Sequence, residues 1–272
     1  MVKLDMVRAV VTGGGSGMGK ATAEAIVHAG GKVCIVDFYQ DRCEEVVAAL
    51  GDAAMYGCAD VADPVRAEEI VNCAVEKFGY VNVVVNCAGV GSGVRILPRE
   101  GGVFPLETFR RVLDINLIGT FNYLCYCALA MSNAPENEDG ERGVIINTSS
   151  NAYNSGQIGQ AAYSASKAAI EGLTLPIARE LARTGIRINT IVPGRINTNM
   201  SGVDRLGAPP PTGPRRERPA DYVEPASKDF IFPFRMGYAS EYATLALQII
   251  SNTLMNGGSY ALDGAMRMSP RW

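Results

Sequence analysis

Tyr163 and Lys167 stand four residues apart in Tyr163-Ser164-Ala165-Ser166-Lys167, a spacing that puts both side chains on one face of a helix. A free phenol has a pKa of about 10, so roughly one in a thousand is ionised at neutral pH. An ammonium within a few ångströms favours the phenolate and is expected to lower that pKa. A tyrosine tuned in this way suits proton exchange with an alcohol oxygen. On its own the pair is a common accident of helices. Ser150 changes its weight: it lies thirteen residues before the tyrosine, at the end of an apolar run, where its hydroxyl can hold a substrate oxygen beside the phenol. Ser149 is adjacent, and the spacing to Tyr163 favours Ser150.

A second constellation lies near the start of the chain. The run Arg8-Ala9-Val10-Val11-Thr12 leads into Gly13-Gly14-Gly15-Ser16-Gly17-Met18-Gly19, and a helix is expected to open at about Gly17. Glycines between a first strand and a first helix let backbone approach a pyrophosphate, and the helix N-terminus offers it free N–H groups and a positive dipole. Asp37 ends the second apolar run. A carboxylate there can accept hydrogen bonds from adenosine ribose hydroxyls and repels a 2′-phosphate, which selects NAD over NADP. Arg42, five residues on and inside the next helix, is a poor counter-candidate for holding that phosphate. Asp60-Val61 ends the third run. Asn86-Cys87-Ala88-Gly89 ends the fourth, and its small residues permit close approach to a cofactor. With Tyr163 and Lys167, these features point to hydride transfer between a dinucleotide and an alcohol or ketone.

The elements that must position these residues are legible from periodicity. Near-continuous apolar runs at 8–12, 32–37, 53–59, 81–86, 143–148 and 187–193 read as strands of a parallel sheet covered on both faces. Helix-period segments at 18–29, 40–50, 63–78, 106–131 and 160–183 separate them, and a last helix at 239–252 precedes a last strand at 258–262. The alternation predicts an α/β fold: a single-domain, Rossmann-type, doubly wound parallel sheet with helices on both faces, spanning 1–272. The Pro- and Arg-rich segment 195–235 is expected to be a substrate loop within it. It holds seven basic residues (Arg195, Arg205, Arg215, Arg216, Arg218, Lys228, Arg235) against five acidic ones, and Arg215-Arg216-x-Arg218 could pair with phosphates.

Composition narrows the function. The 272 residues are 47% hydrophobic and carry a net charge of −3, which offers no footprint for nucleic acid and no basic face for a membrane surface. No apolar run is expected to span a bilayer. Seven scattered cysteines read as reduced thiols of a cytoplasmic protein. With His28 the only histidine, no zinc-type ligand set is expected, and a catalytic-histidine mechanism would rest on one mid-helix residue.

The chain resembles the short-chain dehydrogenase/reductase family across nearly its full length. The resemblance is carried by T-G-x-x-x-G-x-G at 12–19, Asp37, Asp60-Val61, N-x-A-G at 86–89, Asn116 in D-I-N-L-I-G-T-F, Ser150, Tyr163, Lys167 and Pro193-Gly194. It implies that Asn116 belongs to the catalytic set and anchors a water linking the lysine to solvent. It implies also that Lys167 binds the nicotinamide ribose and that Thr198, after the Pro193-Gly194 turn, contacts the carboxamide. Cys87 replaces the family's usual second Asn, a change expected to alter only packing. Within the family, G-E-R-G-V-I-I-N-T-S-S, G-Q-I-G-Q-A-A-Y-S-A-S-K, L-P-I-A-R-E-L-A and L-D-G-A-M-R-M-S-P are similar to its hydroxyacyl-CoA and hydroxysteroid dehydrogenases. That likeness implies NAD as cofactor, an acyl-CoA thioester as substrate, with a free secondary alcohol or steroid as the alternative, and Gln157 facing the substrate beside Ser150 and Tyr163. The family's habit of pairing its fifth and sixth helices across subunits implies a homotetramer, or a heteromer with a related chain. The apolar set Ile170, Leu173, Leu175, Ile177 and Leu181 is expected to serve that pairing.

Overall fold

The computed structural model describes residues 3–99, 101–198 and 230–270, together with the backbone of 205 and 206. The arginine group at 215–218 lies outside the described residues.

The first half of the chain alternates β1 (Arg8–Thr12), α1 (Gly17–His28), β2 (Lys32–Asp37), α2 (Gln40–Leu50), β3 (Ala54–Cys58), α3 (Pro64–Phe78) and β4 (Val83–Asn86). After the two-residue strand β5 (Gly91–Ser92) come α4 (Leu106–Leu113), α5 (Gly119–Ser132), β6 (Gly143–Thr148), the short α6 (Ala152–Ser155), α7 (Ala161–Leu181) and β7 (Ile186–Pro193). A two-residue β8 (Arg205–Leu206) pairs with β5, and α8 (Ala239–Ser251) and β9 (Ser259–Leu262) close the order. Seven strands form one parallel sheet in the order β3-β2-β1-β4-β6-β7-β9.

Alternate residues along each strand enter different cores, which is why the runs are near-continuously apolar. Val10, Cys34, Val84, Ile145 and Ile188 pack with α3, α5 and α7 on one face. Val11, Ile35, Val85, Ile146 and Ile191 pack with α1, α2 and α8 on the other. The strand order reverses between β1 and β4, and the crevice at the carboxyl ends of that pair is where such sheets take ligands.

The helix expected over 106–131 is one helical stretch with an interruption. Asp114–Ile118 form a π-helical turn between α4 and α5. The extra residue in such a turn shifts the phase of the helix and is common at functional sites; here it carries Asn116. The whole stretch Leu106–Ser132 is long and apolar enough to cross a membrane, with an 18-residue window of mean hydropathy 1.3, against the expectation that no such run exists. Its inward side supplies Val112, Tyr123, Leu124, Cys127 and Met131 to the core. Its outward side exposes Ile118, Phe121, Cys125 and Leu129, which share one helical stripe. The apolar set on α7 is mostly spent inward: Ile170 and Ile177 are buried, Leu173 and Leu181 pack against the core, and Leu175 is the exposed member.

At the opposite end of the sheet from the crevice, Arg187 of β7 and Glu141 form an ion pair at 2.8 Å, 7% and 6% exposed. Arg187 also donates to Ile249 O, Ile250 O and Met255 O. A cation on the last carbonyls of α8 is matched to the negative end of the helix dipole.

Candidate active site

The glycine loop crosses the crevice between β1 and β4. A Cβ on Gly19 would lie 2.3 Å from Gly13 O, so only glycine lets the first turn of α1 close on the loop. Gly17 has φ of +52°, and a Cβ there would meet Thr198 Cγ2 at 3.1 Å. Thr198 thus sits across from the start of α1. Ser16 precedes α1 without a side-chain cap, so first-turn N–H groups, Met18 among them, keep their donors for a ligand. This tight backbone cradle fits a pyrophosphate, and it is the observation on which a nicotinamide dinucleotide can be placed here.

Asp37, 8% exposed, ends β2 beside the loop. Its Oδ2 accepts from Gly15 N at 3.0 Å and its Oδ1 from Tyr39 N at 3.2 Å. The carboxylate is therefore aimed by backbone rather than free to swing. Arg42 is closer to this corner than its place in α2 suggested. A Cβ on Gly15 would meet Arg42 Cβ and Asp37 Oδ2, each at 2.9 Å, and the guanidinium lies 4.3 Å from the Tyr39 ring centroid.

The catalytic residues come from three elements. Ser150 follows β6, and its hydroxyl is hydrogen-bonded to that of Tyr163 on α7. The neighbouring Ser149 Oγ donates instead to Lys167 O at 3.0 Å, so the two serines part company: Ser149 anchors α7 and Ser150 faces the phenol. Lys167 is 4% exposed. Its Nζ donates to Thr148 O at 2.8 Å and stands 5.8 Å from the Tyr163 ring centroid. Asn116 is wholly buried on the π turn; Nδ2 donates to Val90 O and Ser166 Oγ, and Oδ1 accepts from Val90 N. Gly89 joins the groups, since a Cβ there would lie 3.2 Å from Asn116 Oδ1 and 3.6 Å from Lys167 Nζ.

The electrostatics reverse one expectation. Removal from water pushes the Tyr163 phenol up, countered by the Ser150 hydrogen bond, whereas the sequence suggested a phenol lowered by the lysine. Burial likewise pushes Lys167 down to about 8, with Cys87 opposing. The physical reason is the lysine's placement: its proton is directed at a carbonyl rather than at the phenolic oxygen, and burial disfavours both charged forms. A lysine near 8 can hold or release a proton close to neutral pH.

Several residues expected at the cofactor or substrate are otherwise engaged. The Asn86 amide turns inward to Asn147 Oδ1 at 3.0 Å and holds the sheet together; Ala88 N donates to Thr12 Oγ1. Asp60 accepts from Ala62 N and pairs with Arg111 at 2.6 Å, and Val61 is buried against Gly119. Gln157 does not simply face the substrate: its Nε2 donates to Ser269 O at 2.9 Å, and Ile158 N donates to Pro270 O. Pro193 O accepts from Asn151 N, and Gly194 N donates to Leu262 O, so the Pro-Gly turn locks the end of β7 to Asn151 on one side and β9 on the other. Arg111 was missed because it acts through Asp60, a partner distant in sequence; Thr12 and 262–270 entered the sequence reading only as parts of motifs, without the contacts they make to Ala88, Gln157 and Ile158. Among the described residues no three His, Cys, Asp or Glu side chains converge on a metal site.

Comparison with known proteins gives a consistent picture. Residues 8–207 match the family described as short chain dehydrogenase. The chain is 44% identical over 262 residues to the 3-hydroxyacyl-CoA dehydrogenase type-2 of Drosophila melanogaster, covering 96% of this chain and 97% of that one. To the protein of the same name from Homo sapiens it is 42% identical over 263 residues, covering 96% and 95%. The crystal structure of 3-hydroxyacyl-CoA dehydrogenase type-2 from Mycobacterium avium superposes with a TM-score of 0.86 at 31% identity, covering 99% of this chain and all of that one.

Proposed function

The chain belongs to the short-chain dehydrogenase family, and from that premise we propose that it is an NAD-dependent dehydrogenase interconverting a 3-hydroxyacyl-CoA and its 3-oxoacyl-CoA. The observation that carries the reading is the convergence of Ser150, Tyr163, Lys167 and Asn116 at the carboxyl end of the sheet, beside the glycine cradle. The names of the relatives support the substrate class, and their near-complete coverage supports treating 1–272 as one dehydrogenase domain; we assign 195–235 as its substrate loop from its place after the Pro193-Gly194 turn.

A bound nicotinamide would supply the acceptor or donor of hydride. Gly13 to Gly19 would hold its pyrophosphate, Asp37 its adenosine ribose, Lys167 its second ribose, and Thr198 its carboxamide. Ser150 Oγ holds the substrate oxygen by hydrogen bonding, and Tyr163 exchanges the proton at that oxygen. In reduction the neutral phenol, the form that burial favours, donates to the nascent alkoxide. In oxidation the phenolate must accept the alcohol proton, and the Ser150 hydrogen bond favours that form against burial. Oxidation should therefore accelerate as pH rises and the phenol deprotonates.

Initial rates across 3-hydroxyacyl-CoAs of different chain length, branching and aromaticity, set against CoA-free secondary alcohols and steroids, test the substrate class. Turnover confined to the CoA-free set would replace the thioester reading with the free-alcohol one.

Asp37 is expected to enforce NAD. Its carboxylate, fixed by Gly15 and Tyr39, repels a 2′-phosphate, and Arg42 stands next to it as a cation without a phosphate to meet. Asp37→Ser should raise the NADP-to-NAD ratio of kcat/KM by about tenfold or more, the effect of one like-charge contact. Adding Arg42→Ala should take back part of that gain. A wild-type enzyme that already prefers NADP contradicts the assignment.

The exposed stripe of Ile118 at the end of the π turn and Phe121, Cys125 and Leu129 on α5, with Leu175 on α7, supports a homotetramer, because exposed apolar surface of this kind marks an interface. Sedimentation at micromolar protein should show four copies, and Phe121→Glu with Leu129→Glu should give a smaller species. A monomeric wild type would remove the proposal. Seven unpaired cysteines, three of them buried, support a reducing, cytoplasmic setting.

A further inference from the structure

We propose that Tyr242, reaching in from α8 on the far face of the sheet, is a positioning residue for Lys167: its hydroxyl holds Thr148, whose main-chain oxygen receives the lysine's hydrogen bond. The inference rests on the dehydrogenase reading of the site and adds a residue to it.

Tyr242 is completely buried. Its hydroxyl lies 2.7 Å from Thr148 Oγ1 and within 3.5 Å of Cys87 Sγ, and Thr148 Oγ1 in turn lies 3.8 Å from that sulfur. Three polar side chains from α8, the end of β6 and the end of β4 thus close a small cluster inside an otherwise apolar layer. Thr148 is the last residue of β6, one step before the serines. Its main-chain oxygen leaves the sheet toward Lys167, while its side chain points to the opposite face. Beyond this residue, Ser149 N is held by Ile191 O. The Tyr242 bond holds the other side of the same peptide, so the carbonyl that Lys167 addresses is clamped from two directions.

The departure at Cys87 belongs to the same arrangement. Where the family's usual pattern has a second Asn, this chain has a thiol that fits against the Tyr242 hydroxyl. The exchange does more than repack: it places a sulfur beside a buried tyrosine directly behind the lysine. The groups that face Lys167 are then Tyr163 on its own helix, Asn116 from the π turn, Cys87 from β4 and the Thr148 carbonyl from β6. Tyr242 touches Cys87 directly and reaches the Thr148 carbonyl only through that residue's side-chain hydroxyl.

A loosened carbonyl stabilises the ammonium less well, so the lysine should give up its proton at lower pH. Tyr242→Phe removes one hydroxyl and almost no volume. It should lower kcat by about three- to tenfold, the rate equivalent of a single neutral hydrogen bond, with KM for NAD and substrate within about twofold. The lysine-linked limb of the kcat–pH profile should move to lower pH by roughly half a unit. Thr148→Val should reproduce the shift and Thr148→Ser should not, and the double variant Tyr242→Phe/Thr148→Val should cost no more than either single one, since both break the same bond. A Tyr242→Phe protein that melts earlier but keeps the wild-type pH profile would overturn the inference, as would losses from Tyr242→Phe and Thr148→Val that simply add. Either result leaves the dehydrogenase reading standing while Tyr163→Phe is inactive; an active Tyr163→Phe protein would instead remove the reading itself.

Discussion

Tyr163→Phe should reduce turnover by about two to four orders of magnitude, the usual range for losing a positioned acid–base group. The substitution removes the proton that Ser150 and the substrate oxygen share with the phenol and leaves the ring in place. Affinity for NAD should therefore stay within a few-fold, because the glycine cradle, Asp37 and Lys167 are untouched. Steady-state rates combined with an equilibrium cofactor titration separate the two quantities. A variant retaining more than about a tenth of the wild-type rate is incompatible with acid–base chemistry at Tyr163. Loss of NAD binding in parallel with turnover would point instead to damage of the site as a whole.

The second large effect is on stability and arises at the far end of the sheet. Arg187→Met should leave the Glu141 carboxylate buried without its cation, a change that typically costs about 3–5 kcal/mol. At this chain length that corresponds to a melting temperature lower by on the order of 10 °C. The arginine also serves the last carbonyls of α8 at Ile249 and Ile250, so the unfolding should begin where α8 meets β7. Replacing both partners, as Glu141→Leu with Arg187→Met, should recover part of the loss, since paired apolar side chains avoid the stranded charge. Full recovery is not expected, because the α8 carbonyls keep no donor. A single variant that melts with the wild type would show that the pair contributes nothing, and a double variant worse than the single would show that packing rather than charge is at stake.

These two sites differ in how far they can be read from the chain alone. Tyr163, Lys167 and Ser150 are legible because a four-residue spacing fixes a shared helix face, and a strand end fixes where the serine emerges. The seven-stranded sheet is legible for a related reason: strands covered on both faces are apolar through their middles, as 9–11, 33–36 and 144–146 are. The glycines of 13–19 announce a backbone conformation that few other residues adopt. In each case the information lies within a few residues, as dihedral preference or burial period. What tertiary structure alone decided lies between residues far apart in sequence. Gln157 meets Ser269 across 112 positions, Thr148 meets Tyr242 across 94, and Glu141 meets Arg187 across 46. Arg42 comes to Gly15 only because α2 folds back over the loop, and Asn116 reaches Val90 only because one turn of helix widens. The reversed shift at Tyr163 has the same origin. A local pattern shows which residue can carry a charge, but the energy of that charge depends on the water removed and the partners gained, and both are set by the packing of distant segments.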